Sequence, residues 1–135
     1  LFFEKGSQHI VDAYRSGQRI PGLMNITEEK INGSMVLMLQ EERIDAHNSA
    51  ELKEIILNKI EQGEVSLIIQ LERVRFIDSS GLGALLAGFK NTTARSGRFS
   101  LTNIQPQVLS MFELTRLNRV FEIYPDLDEA VANEK

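Results

Sequence analysis

Cysteine is absent from the 135 residues, which excludes a disulfide framework and any thiolate nucleophile or thiolate metal ligand. That composition suits a reducing compartment. Long apolar runs are also missing. No stretch approaches the roughly 18 residues of a membrane span, and no basic segment followed by an apolar one opens the chain, so a soluble, unexported, cytoplasmic protein is expected. Positive charge is in short supply, with 15 Lys and Arg against 19 Asp and Glu and a net charge of −4. Nothing global therefore attracts a phosphate backbone, and a protein carrying a basic patch is a better expected partner than nucleic acid. Internal repeats and low-complexity segments are absent as well.

Catalytic parts are equally scarce. The only histidines are His9 and His47, so a serine nucleophile has few candidates for the base that would take its proton. The Gly-x-Ser-x-Gly elbow does not occur. Gly81-Leu82-Gly83 begins like a dinucleotide fingerprint, but Leu86 occupies the third glycine position and no Walker lysine follows. Asp45 and His47 offer one carboxylate and one imidazole, short of the three or four protein ligands usual at a zinc site. No enzyme, cofactor or metal is expected from these residues.

What is present reads as one α/β unit, and the 42% hydrophobic content is enough for a single core. Residues 1–23 stand apart from it: His9, Ile10, Ala13 and Tyr14 suggest one short amphipathic helix, then Gly17, Pro21 and Gly22 interrupt the pattern. They are expected to be an extension, either a native arm or residues added for expression, before a domain over 24–135. Asn25 to Ile31, the Asn32-Gly33 turn and the apolar run Met35 to Leu39 predict a hairpin whose second strand runs out through Gln40 to Arg43. Asn48 with Glu51 resembles a capping box opening a helix with Leu52, Ile55, Ile56 and Ile60 on one face, closed near Gln62 by Gly63. Val65 to Leu71 predicts a central buried strand. Phe99 to Ile104 predicts a parallel neighbour reached by a right-handed crossover. A helix from Pro106 to about Leu117 should turn Val108, Leu109 and Phe112 inward. A short strand over Val120 to Ile123 and a terminal helix capped by Asp126 with Glu129 complete the chain. The expected fold is a mixed sheet of about four or five strands alternating with helices.

The stretch Phe76-Ile77-Asp78-Ser79-Ser80-Gly81-Leu82 lies where an apolar run meets a helix whose apolar positions are Leu82, Leu85, Leu86 and Phe89. A serine there can cap the helix, and the unpaired first N–H groups could also hold an added phosphate. Arg73 and Arg75 precede it, either as a solvated pair or as support for a phosphate or an acidic partner loop. The small residues Gly81, Gly83, Ala84, Ala87 and Gly88 suit close packing of that helix on a sheet or a partner.

Asp78-Ser79-Ser80-Gly81-Leu82-Gly83 after an apolar strand, with Arg43-Ile44-Asp45-Ala46 before an earlier helix, resembles the STAS domain of bacterial anti-sigma factor antagonists over about residues 24–133. Glu42-Arg43-Ile44-Asp45 departs mildly from the family's Gly-Glu/Arg-Leu-Asp pattern, and the extension before Met24 departs further. The resemblance implies a single STAS-type domain and phosphorylation of Ser79, with Ser80 the alternative, by an anti-sigma factor that is a serine kinase. It also implies a partner surface made by Asp45, Asp78, Ser79, Ser80, Gly81 and Leu82. The unphosphorylated form would bind the anti-sigma factor and free a sigma factor, and a serine phosphatase would reset the switch, with no direct nucleic acid or membrane involved. The alternatives are a STAS module regulating another signalling partner and, further off, a small ligand-binding α/β domain.

Overall fold

The structure, a computed structural model, describes residues 24–133. The expected N-terminal extension and its short helix lie outside the described residues. The first hairpin forms as expected. β1 (Ile26–Ile31) pairs antiparallel with β2 (Ser34–Leu39), and Asn32 and Gly33 turn the chain with φ of 49° and 88°, the left-handed values that a tight two-residue hairpin requires.

Beyond Leu39 the chain departs from the expected continuous strand. It breaks, and Arg43–Ile44 forms a separate short strand, β3. The next elements are α1 (Ser49–Glu61), β4 (Ser66–Gln70), β5 (Phe76–Ile77) and α2 (Ser79–Ala94). α1 closes as its sequence predicts: Gly63 takes φ 97°, and the N–H groups of Gly63 and Glu64 donate to Ile60 and Lys59 carbonyls at 3.0 Å each, a Schellman ending.

β6 (Arg98–Thr102) is parallel to β4, so β4, α2 and β6 form the expected crossover unit. β6 stops short of Ile104 because Asn103 turns to φ 57°. α3 (Pro106–Leu114) likewise ends before the expected Leu117. There the chain passes Arg116 at φ 63° and enters a 3-10 turn, Leu117–Arg119. Val108 and Phe112 are buried as expected, whereas Leu109 is only half-buried. The last strand is shifted to Glu122–Tyr124, β7, because Phe121 turns into the core. Its ring lies 5.7 Å from those of Phe89 and Phe112 and 6.0 Å from that of Phe99. α4 (Leu127–Ala132) closes the described chain, with Asp126 accepting the Glu129 N–H at 2.9 Å.

The main sheet has the order β1-β2-β4-β6-β7, antiparallel only at β1/β2. Alternation along the strands splits the interior. Leu37, Leu67, Ile69, Phe99 and Leu101 join α1, α2 and α3 in the large core, while Val36 and Ile68 meet Ala130 of α4 in a smaller cluster. Gly88 lets α2 settle on this core, since a Cβ there would stand 2.5 Å from the Phe99 ring and 2.9 Å from Ile56. β3 and β5 form a second, two-stranded sheet.

Candidate functional site

The small sheet builds the site. Arg43 is in register with Phe76, and Ile44 with Ile77, in parallel. The next residue of each strand, Asp45 and Asp78, therefore emerges at the same end. Glu42 carbonyl accepts from Arg75 N–H at 2.7 Å, and Ile44 carbonyl accepts from Asp78 N–H at 3.2 Å, which fixes the two loops side by side. Ile44 and Ile77 anchor them in the core. On the outer side the Arg43 guanidinium lies 4.2 Å over the Phe76 ring, and Phe76 stays 38% exposed.

Asp78 is the N-cap of α2. Its Oδ1 accepts the Gly81 N–H at 3.0 Å and the Ser80 hydroxyl at 2.6 Å. The Ser80 hydroxyl, then the Gly81 N–H, hold its pKa below the usual aspartate range against the opposing effect of burial, and the N–H groups of Ser80 and Ala46 add to the lowering. Asp78 thus ties the start of α2 to the loop that leads to α1. Asp45 organises that loop: its carboxylate accepts the His47 N–H at 3.0 Å and the Arg43 Nε–H at 3.4 Å. The His47 N–H is the main cause of its lowered pKa, partly offset by burial.

The expected capping box is not formed. Asn48 stands at the N-cap of α1 without capping it. Instead its Oδ1 accepts from Asp45 N–H at 3.0 Å, and its Nδ2 donates to Arg43 carbonyl at 2.9 Å. Glu51 accepts the Met24 N–H at 2.8 Å. Asn48 therefore pairs with the free edge of β3 as a neighbouring strand would, a local competition between side chain and backbone that Asn is well suited to win.

The two serines differ. Ser79, the first residue of α2, is exposed, and its hydroxyl has no partner among the described residues. Ser80 is half-buried, with its hydroxyl committed to Asp78. Gly81 and Leu82, which the resemblance implied for the partner surface, are both buried. Leu82 is in the main core, and Gly81 is buried where a Cβ would stand 2.6 Å from Ile77 Cγ1 and 2.9 Å from both Ile44 Cγ2 and the Ile44 carbonyl. Gly83 is exposed with nothing near its missing Cβ. His47 is 96% exposed with Nδ1 3.4 Å from Asp45 Oδ1, and no bond joins it to Ser79. Arg73 and Arg75 are exposed, and neither guanidinium is paired among the described residues. Sequence reasoning missed the Arg43–Phe76 stack and the Asn48 clamp. Both depend on a two-residue strand pairing that hydrophobic periodicity cannot reveal.

Fold and site together define an α/β domain with a mixed sheet, which presents a capped helix start carrying one open hydroxyl between two acidic loops. The chain belongs to the STAS domain family, whose model matches residues 25–130. The anti-sigma-B factor antagonist of Bacillus subtilis is 31% identical over 80 residues, 59% of this chain and 72% of that protein. An anti-sigma factor antagonist from Mycobacterium paratuberculosis superposes with a TM-score of 0.73 at 26% identity, over 84% of this chain and 95% of that one. The Bacillus cell fate determinant SpoIIAA, solved in its phosphorylated form, superposes with a TM-score of 0.61 at 27% identity, over 79% and 96% of the two chains.

Proposed function

We propose that this chain is a non-enzymatic anti-sigma factor antagonist working in the cytoplasm. Its unphosphorylated form binds an anti-sigma factor with serine kinase activity and so frees a sigma factor. Phosphate on Ser79 ends the complex, and a serine phosphatase restores it. The observation that carries this reading is the division of labour between the two hydroxyls: Ser79 is open at the helix start, while Ser80 is spent on Asp78. The names of the similar proteins support it, and so does a relative of known fold that exists in a phosphorylated form.

A phosphate on Ser79 would add roughly −1.5 to −2 charges beside Asp78 and Asp45, while the amide end of α2 offsets part of the repulsion. The domain should stay folded. A partner surface fitted to a neutral hydroxyl would meet a bulky dianion, and losing about 2.7 kcal/mol of binding would lower affinity about a hundredfold.

The test is phosphate mapping with the cognate kinase, together with binding titrations, on three variants. Ser79→Ala should bind and refuse phosphate, and Ser79→Asp should bind poorly. Ser80→Ala should still accept phosphate on Ser79, with a lower thermal midpoint because Asp78 loses a donor. Phosphate on Ser80 alone, or equal affinity of both forms, would overturn the proposal.

A further inference from the structure

Three large apolar side chains are exposed among the described residues, and two of them, Leu114 at 81% and Val120 at 39%, stand at the two ends of one turn. The turn is rigid. Arg116 N–H donates to Glu113 carbonyl at 3.1 Å, Arg119 N–H to Arg116 carbonyl at 3.2 Å, and Val120 N–H to Leu117 carbonyl at 3.0 Å. Phe112 before it and Phe121 after it are locked in the core, so folding is served without Leu114 or Val120. Between them, Arg116 holds the left-handed backbone at φ 63°, a conformation that disfavours a side chain. Neither Arg116 nor Arg119 has a partner for its guanidinium among the described residues. Arg43, Arg95 and Arg98 pair with Asp45, Glu61 and Glu122, and of the arginines unpaired among the described residues Arg116 and Arg119 flank exposed apolar side chains on one turn.

We propose that the knuckle from Leu114 to Val120 is a docking surface for an acidic segment of a second protein, seating an apolar residue on Leu114 and Val120 and carboxylates on Arg116 and Arg119. Planar guanidinium groups suit paired recognition of carboxylates, and exposed leucine beside free arginine provides both an apolar anchor and the charge that fixes its register. A membrane is the poorer occupant, since two basic residues fall short of the cluster of about four to eight that holds an anionic surface. A second copy is poorer too, because a two-fold contact would set these arginines against themselves. The knuckle is the exit of α3 and shares no residue with the Asp45–Ser80 site, so the proposal goes beyond the Ser79 reading and does not rest on it.

The experiment replaces Leu114 by photoreactive benzoylphenylalanine in the full chain, expressed in its own cell. The crosslinked peptide is sequenced, and the purified protein that contains it is titrated against variants. The expected result is a single partner, crosslinked through a segment with at least two Asp or Glu beside an apolar residue. The double variant Arg116→Glu, Arg119→Glu should lose about tenfold or more in affinity at an unchanged thermal midpoint, and Lys in place of the segment's acids should restore it. Crosslinks only to lipid or to another copy of this chain, no crosslink at all, a segment without acids, or a charge reversal without effect would each overturn the proposal.

Discussion

Gly81 and Gly83 share one turn of α2 and answer opposite demands. Gly81 lets the helix start lie against β3 and β5, with a Cβ clashing against Ile77 and the Ile44 backbone, whereas Gly83 faces open space. Gly81→Ala should therefore destabilise the domain by about 2 kcal/mol through overpacking. Gly83→Ala should stabilise it by about 0.5–1 kcal/mol by restricting the unfolded chain. Chemical denaturation of the two variants checks the contrast, and equal effects would refute the close approach. Asp78 gives a second residue-scale expectation. Its folded pKa is depressed by the Ser80 hydroxyl and the Gly81 N–H, so below the ordinary aspartate pKa the unfolded chain binds more protons than the folded one. The stabilisation is in full force above that ordinary value, about pH 4, and is lost as pH falls through the lower folded value. Asp78→Asn should lower the thermal midpoint at neutral pH, and the gap from wild type should narrow on acidification. A constant gap would place the effect in packing instead.

Among the elements, helix ends show where sequence patterns suffice. Gly63 ends α1 and Asp126 starts α4 as read, because those signals act between neighbours in the chain. Asn48 misled because its side chain turned back to the edge of β3, three and five residues earlier, instead of to the helix start. Asn48→Ala should free two backbone groups at the edge of β3, Arg43 C=O and the N–H of the following Asp45, and loosen the loop that holds Asp45. Faster amide exchange confined to residues 43–49, with the rest of the domain protected, is the expected result; uniform loss of protection would refute the local role. At the end of α3, Arg116 occupies the position where glycine is preferred, so Arg116→Gly should stabilise by about 0.5–1 kcal/mol. It should weaken docking at the knuckle at the same time.

At the scale of the molecule, α1 is pinned to the sheet edge by an ion pair as well as by apolar packing. Lys59 Nζ lies 2.8 and 2.7 Å from the two Glu28 oxygens, and its side chain is only 1% exposed. Glu28→Ala should cost about 3–5 kcal/mol, because it strands a buried ammonium, while Glu28→Leu combined with Lys59→Met should recover most of that loss. Denaturant midpoints of the single and double variants decide it. A double variant as unstable as the single one would show that the pair contributes more than mutual neutralisation. Neither residue stood out in the sequence, since each looks like an ordinary exposed charge until β1 and α1 are brought together.

Local pattern by itself determined the order of the main-sheet strands and the helices, the hairpin at Asn32-Gly33, the parallel crossover from β4 to β6 and the placing of Ser79 at a helix start. Each follows from interactions spanning a few residues or from the steric rule on crossovers. Tertiary structure alone decided that Arg43–Ile44 and Phe76–Ile77 pair, that Asp45 and Asp78 therefore emerge together, and that Leu82 turns inward. It also decided which of two adjacent serines is open. The physical reason is the same in each case: a two-residue strand has no periodicity to read, and a hydroxyl's availability depends on whether a carboxylate 2.6 Å away has already claimed it.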